Sequence, residues 1–140
     1  MDLSETGPRY VLDATTLINF ERSSDLKRLP PAGVRLFIPD RVAREVNRPQ
    51  TRLETWLKRH PRLVTAMLPE ESRLYLELIR QPEIHDGEAA ALAIASRRQA
   101  QLVTDDIAAQ RKAAAHTVEC LSTVEFRQRA IPTQLRFGDT

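Results

Sequence analysis

Short apolar runs alternating with helix-length segments, closely linked, constrain this chain more than any other feature of its sequence. Arg9-Tyr10-Val11-Leu12 reads as a buried strand ended by Asp13, and Ala14 to Arg22 follows directly as a helix carrying Leu17, Ile18 and Phe20. Pro30-Pro31-Ala32-Gly33 is a turn before a second strand, Val34 to Ile38. Pro39-Asp40 then signals a helix start with Asp40 as its N-cap, and Val42 and Val46 fall on the buried side. Leu53 to Arg59 is a further helix, Leu63 to Leu68 a third strand and Pro69 to Arg80 a helix of untidy period. An alanine-rich helix runs from Gly87 to Arg98, since alanine has the best helix propensity. The strand Gln101 to Thr104, the helix Ile107 to His116, the strand Thr117 to Cys120 and the helix Ser122 to Arg129, capped by Ser122 or Thr123, complete the series.

The order β-α-β-α-α-β-α-α-β-α-β-α with right-handed crossovers predicts an α/β fold, a three-layer sandwich around a mostly parallel sheet of about five strands. At 140 residues the chain fits one domain. Residues 1–8 read as a flexible leader, 9–130 as the domain and 131–140 as a C-terminal tail. Hydrophobic residues at 41% suffice for a sizeable core. The longest apolar run, Ala89 to Ala95, falls well short of the ~18–20 residues of a membrane helix, and the start lacks the pattern of a signal peptide. The single cysteine, Cys120, forms neither an internal disulfide nor a zinc site, and the expected compartment is the cytosol.

In such a sheet, ligands bind beyond the carboxyl ends of the strands, where strand order reverses. Asp13 follows the first strand, Asp40 the second, and Asp105 and Asp106 the strand ending at Thr104. Glu45 lies just over a turn into the helix after Asp40, and Asp86 and Glu88 open the alanine helix. Each acid has a structural explanation. Asp13, Asp86 and Asp106 stand where helix N-caps belong, and Arg41 and Arg48 flank Glu45 at ion-pair spacing. Glu88 is harder to dismiss, because its neighbours at i+3, i+4 and i+7 are Ala91, Leu92 and Ala95, on the inward face.

Together these acids would repel one another unless something positive sat among them. No lysine or arginine lies beside Asp13, and His85 is expected to be the only basic residue near Asp86 and Glu88. A hard divalent cation, Mg²⁺ or Mn²⁺, is the economical answer, and it suits phosphodiester hydrolysis. Net charge is only +2, but Arg41, Arg44, Arg48, Arg52, Lys58, Arg59 and Arg62 crowd one stretch that could hold the flanking phosphates.

These residues resemble the PIN-domain ribonucleases found as VapC toxins of type II toxin–antitoxin systems. Val11-Leu12-Asp13-Ala14-Thr15-Thr16-Leu17-Ile18 is similar to the opening signature of that family. Glu45 in Val42-Ala43-Arg44-Glu45-Val46 resembles its second acid, Asp86-Gly87-Glu88 before the alanine helix its third, and Leu102-Val103-Thr104-Asp105-Asp106 its fourth. The likeness runs from about Tyr10 to Phe126. It implies a Mg²⁺- or Mn²⁺-dependent endoribonuclease with Asp13, Glu45, Glu88 and Asp106 as catalytic and metal residues. Asp86 and Asp105 are alternates, Thr15 orders the site, and Arg41, Arg44 and Arg48 face RNA. It also implies a homodimer restrained by a small antitoxin. Alternatives are a PIN-fold nuclease for RNA processing or DNA, and a catalytically silent RNA-binding or interaction module. A haloacid-dehalogenase phosphatase would need an acid where Thr15 stands, and in a receiver domain an acidic pair would come far earlier than Asp105-Asp106. Trp56 and Tyr75 read as core or dimer contacts, His85 and His116 as incidental, and Cys120 as a small core residue.

Overall fold

The computed structural model describes residues 7–131. The expected leader and tail therefore fall almost wholly outside the described residues. Between them the chain forms β1 (Arg9–Leu12), α1 (Ala14–Arg22), β2 (Arg35–Pro39), α2 (Asp40–Val46), α3 (Arg52–Arg59), β3 (Val64–Thr65) and α4 (Pro69–Leu78). It continues with α5 (Asp86–Arg98), β4 (Gln101–Val103), α6 (Ile107–Ala115), β5 (Cys120–Leu121) and α7 (Thr123–Ala130). This is the expected order of elements. The five strands are all parallel, in the order β3-β2-β1-β4-β5. No helix among the described residues is long and apolar enough to cross a membrane.

Two cores, one on each face of the sheet, make the three layers. Tyr10 and Leu12 of β1, Leu36 and Ile38 of β2 and Val103 of β4 point to one side, against Leu17 and Phe20 of α1, Val42 and Val46 of α2 and Phe126 of α7. Val11, Phe37 and Leu102 point to the other, against Leu74 and Leu78 of α4 and the run Ala89 to Ala95 of α5. Alternate residues of each strand thus feed opposite cores, so the strands read as continuous apolar runs. The small side chains of α5 let its backbone approach the sheet closely, and Ala89 to Ala95 are all at most 1% exposed.

Several local expectations are corrected. The third strand shrinks from Leu63–Leu68 to Val64–Thr65, because Pro61–Leu63 wind into a 3-10 turn. Beyond the strand, Ala66 O accepts from Arg98 and Leu68 N donates to Glu71, so these groups are used outside the sheet. Asp40 is the first residue of α2, after Pro39, and makes no capping hydrogen bond. Asp86 is likewise inside α5, whose N-cap is His85. Ser122 caps α7, and β5 begins at Cys120 rather than Thr117.

The chain adds β2 and β3 on one side of β1, then returns to add β4 and β5 on the other. Strand order therefore reverses between β1 and β4, where Leu12 pairs with Val103. The residues following those two strands, Asp13 and Thr104-Asp105-Asp106, meet at the carboxyl edge of the sheet, the position where α/β sheets bind ligands.

Candidate active site

Asp13 lies at the bottom of this edge, 3% exposed. Its Oδ1 accepts from Thr15 Oγ1 at 2.7 Å and from Thr16 N at 3.2 Å, which caps α1, and its Oδ2 accepts from Thr104 Oγ1. Burial raises its pKa, against the opposing pull of the hydrogen bonds from Thr104, Thr15 and Thr16. The cap and the site are thus the same carboxylate. Three donors occupy three of its roughly four lone-pair positions, leaving one for a further ligand.

Asp106 caps α6, accepting from Ala109 N at 3.0 Å, and that bond holds its carboxyl below the usual range. Glu88, in the first turn of α5, reaches the Asp106 carboxyl. Burial first, and then this carboxyl–carboxyl contact, push Glu88 up to about 7. Two acids from different elements therefore meet with their pKa values driven apart, Glu88 upward and Asp106 downward.

Glu45 approaches from α2. The pairs with Arg41 and Arg48 that its spacing suggested are not among the ion pairs of the described residues, because Arg41 turns instead to Asp86. Glu45 sits against Gly87, where an added methyl group would lie 2.9 Å from Glu45 Oε2 and 3.3 Å from Val42 Cγ2. Gly87 thus leaves room for the Glu45 carboxylate against the first turn of α5. We expect Gly87→Ala to lower any activity of this site severalfold while the melting temperature changes little. Alanine's helix preference, about 1 kcal/mol, offsets a clash that the exposed end of Glu45 can escape by moving. Unchanged turnover alongside a preserved fold would show that the position of Glu45 is irrelevant.

The two alternates are committed elsewhere. Asp86 takes Arg41 Nη1 at 3.1 and 3.2 Å and the Tyr75 hydroxyl, and these bonds hold it below the usual carboxylate range although burial works the other way. The Arg41 guanidinium also lies 4.6 Å from the centroid of the Tyr75 ring. The basic partner of Asp86 is thus Arg41, 45 residues away, which corrects the expectation that His85 is the only basic residue near it. Asp105 accepts from Thr123 N at 2.8 Å and from Thr123 Oγ1 at 2.7 Å, docking α7 on the sheet edge.

Thr104 is the residue that sequence reasoning missed. Its hydroxyl donates to Asp13 and accepts from Asp106 N at 3.1 Å, tying the two acids together. A buried threonine at the end of a strand on the ligand-binding edge was the available signal. Thr15, expected as an ordering hydroxyl, donates to Asp13 and accepts from Asp105 N at 3.1 Å.

Beside the acids a cleft of about 580 Å³ opens, lined by Arg41, Arg44, Glu45, His85, Asp86 and Gly87. Arg44 and Arg48 are exposed, and Arg48 is not among the residues of that cleft. Trp56 and Tyr75 are buried, at 6% and 7% exposure, as expected of core residues. Cys120 is half-buried, and burial pushes its thiol up to about 11, which leaves it unreactive.

Among the described residues, no lysine or arginine pairs with Asp13, Glu45, Glu88 or Asp106. Nor does any group of three acidic, histidine or cysteine side chains close into a ready-made metal cage. The donor set nonetheless suits Mg²⁺ or Mn²⁺. Hard carboxylate oxygens without a lysine or arginine partner are the ligands such ions take, and Mg²⁺ commonly needs only one or two carboxylates besides its waters.

Comparison with known proteins agrees with this architecture. A family model described as a PIN domain, DUF3368, matches residues 9–126. Among solved structures, a PilT N-terminus domain protein from Sulfolobus solfataricus P2 is similar, with 14% identity, 91% of this chain and 98% of that chain covered, and a TM-score of 0.59. VapBC-1 from nontypeable Haemophilus influenzae has 15% identity, coverage of 83% and 98%, and a TM-score of 0.55. VapBC2 from Rickettsia felis, bound to a DNA fragment from its promoter, has 14% identity, coverage of 81% and 98%, and a TM-score of 0.55. A comparison with curated proteins gave no match.

Proposed function

This chain belongs to the PIN-domain family, and on that premise we propose that it is a Mg²⁺- or Mn²⁺-dependent endoribonuclease, the toxin of a toxin–antitoxin pair. PIN domains are nuclease domains that generally work with divalent metal. The observation that carries the reading is the placement of Asp13, Glu88 and Asp106 at the β1/β4 edge, where Thr104 ties Asp13 to Asp106 and no lysine or arginine among the described residues pairs with any of the three.

Asp13, Glu45, Glu88 and Asp106 would hold the ion. When bound, it supplies Lewis-acid stabilisation of the charge that builds on phosphorus oxygens during hydrolysis. The rest is the work of the chain. Thr15 and Thr104 fix the Asp13 carboxylate in place at the sheet edge. Ala109 N fixes Asp106. Glu88, pushed up to about 7, would have to be ionised to serve as a ligand. Arg48, exposed, and Arg44, exposed although paired with Asp40 at 3.9 Å, would meet backbone phosphates, while Arg41 lines the cleft, held in place by Asp86 and Tyr75. The N-termini of α1, α5 and α6 all open onto this edge, and their partial positive charge favours an anionic substrate.

The antitoxin rests on likeness of fold to the VapBC-1 and VapBC2 structures. A homodimer is supported by Leu68, Leu76 and Ile79, 49%, 55% and 36% exposed around α4. The function is tested by incubating the purified chain with a mixture of structured RNAs in EDTA, Mg²⁺ or Mn²⁺. Internal cleavage in either metal and none in EDTA is expected. Intact RNA under all three conditions, for several RNA classes, would favour a silent binding module.

A further inference from the structure

Spacing alone leaves His85 without a role, and its place in the fold supplies one. It is the N-cap of α5, its backbone extended at φ −82° and ψ 163°, and its side chain is exposed. Three residues on, Glu88 brings its Oε2 to 3.5 Å from the His85 backbone N–H. The imidazole charge reaches two of the acids. It opposes the burial and the Asp106 carboxyl that raise Glu88, and it adds to the Ala109 N–H bond that holds Asp106 down.

His85 also lines the cleft beside the acids, and that cleft has two walls. Arg41, Arg44 and Glu45 come from α2, while His85, Asp86 and Gly87 come from the start of α5. A phosphate drawn to the acids needs hydrogen-bond donors on both sides. On the α2 wall the arginines supply them. On the α5 wall Asp86 and Glu88 offer only acceptors when ionised, and Gly87 has no side chain. His85 is the side chain there that carries a donor, since an imidazole keeps at least one ring N–H in either charge state. That donor is unspent: His85 makes no side-chain capping hydrogen bond and enters none of the ion pairs of the described residues. The N-terminus of α5, a helix of 13 residues, adds its partial positive charge at the same place.

We propose that His85 donates a hydrogen bond to a non-bridging oxygen of the phosphate being cut, holding it from the α5 side while Arg41 faces it from α2. The proposal rests on the nuclease reading above. His85 here touches the substrate and not the metal ion, because Mg²⁺ and Mn²⁺ favour the carboxylate oxygens beside it. It acts as a donor and carries no proton between groups.

The test compares His85→Ala with His85→Gln, which keeps an N–H donor on a side chain of similar reach. In Mg²⁺, His85→Ala should lower kcat/KM for RNA cleavage roughly ten- to hundredfold, the worth of a hydrogen bond to a charged group, and His85→Gln should recover most of it. Combined with Asp13→Asn to prevent cutting, His85→Ala should weaken RNA binding roughly three- to tenfold, and His85→Gln much less. Melting temperatures should stay within about 3 °C of the parent, because the side chain is exposed. The rise in melting temperature with Mn²⁺ should survive both changes, which sets a phosphate contact apart from a metal ligand. Unchanged cleavage in His85→Ala, or glutamine no better than alanine, overturns the hydrogen bond while sparing the nuclease. Loss of the Mn²⁺ effect does the same. If the Asp13→Asn chain binds no RNA and the native chain cuts none, the nuclease reading fails and the contact loses its substrate with it.

Discussion

Asp13→Asn is expected to reduce RNA cleavage by at least about a hundredfold, the scale on which perturbing even the groups behind metal ligands acts, while the protein stays folded. The two halves of that expectation have separate causes. Activity falls because the amide offers a weaker ligand and no negative charge at the lone pair that the three donors leave open. The fold survives because the amide oxygen can still accept from Thr15 Oγ1 and Thr16 N, and the amide nitrogen can donate to the Thr104 hydroxyl, which rotates to accept. Removing a buried charge whose pKa is already raised by burial relieves a cost. Retained cleavage with the usual metal requirement would remove Asp13 from the site. Loss of cleavage together with loss of the folded transition would make it a structural residue only.

The largest effect on stability is expected far from the acids. Glu71, 0% exposed, accepts from Arg98 Nε at 2.6 Å, from Arg98 Nη2 at 2.9 Å and from Leu68 N at 2.8 Å. Arg98 also donates to Ala66 O at 3.2 Å and lies 5.1 Å from the centroid of the Phe37 ring. This pair joins the start of α4 to the end of α5 and holds the chain that leaves β3. Glu71→Ala leaves the guanidinium without its counter-charge, at a cost of about 3–5 kcal/mol, out of a total of roughly 5–15 kcal/mol for a domain. The melting temperature should fall by roughly 10–15 °C. Glu70→Ala, one residue away and exposed, should stay within about 0.5 kcal/mol of the parent. Equal melting curves for the two variants would show that the pair contributes nothing.

That contrast between Glu70 and Glu71 marks where the sequence stopped being informative. Both belong to one acidic run, and nothing in their spacing shows that one is exposed and the other is locked to Arg98 27 residues later. The order of elements was legible because turns carry proline and glycine and because strands buried on both faces are short and wholly apolar. Asp13, Glu88 and Asp106 were legible because each stands at a strand end or a helix start on a predictable edge. The length of β3 was not, since its fate depends on hydrogen bonds made by Arg98 and Glu71. Nor were the commitments of Asp86 to Arg41 and of Asp105 to Thr123, which join segments 45 and 18 residues apart. Periodicity reports which face is buried, and it carries no information about which partner a side chain meets across the fold.

The central claim is that these acids form a cation site, and thermal unfolding between pH 5 and pH 8, with and without Mn²⁺, tests it most directly. Glu88 titrates near 7 in the fold against an ordinary 4.5. Its protonated form is therefore favoured by folding: the contribution is complete below 4.5 and is lost as pH rises through about 7. Asp106 and Asp86 are shifted down from 3.8 and lose their contributions only in more acid solution, outside this window. The metal-free protein should thus melt at progressively lower temperature from pH 5 to pH 8. Mn²⁺, which needs the same carboxylates ionised, should raise the melting temperature, and most at pH 8, reversing the trend. Melting temperatures that ignore Mn²⁺ at every pH would contradict the account, whatever the fold resembles.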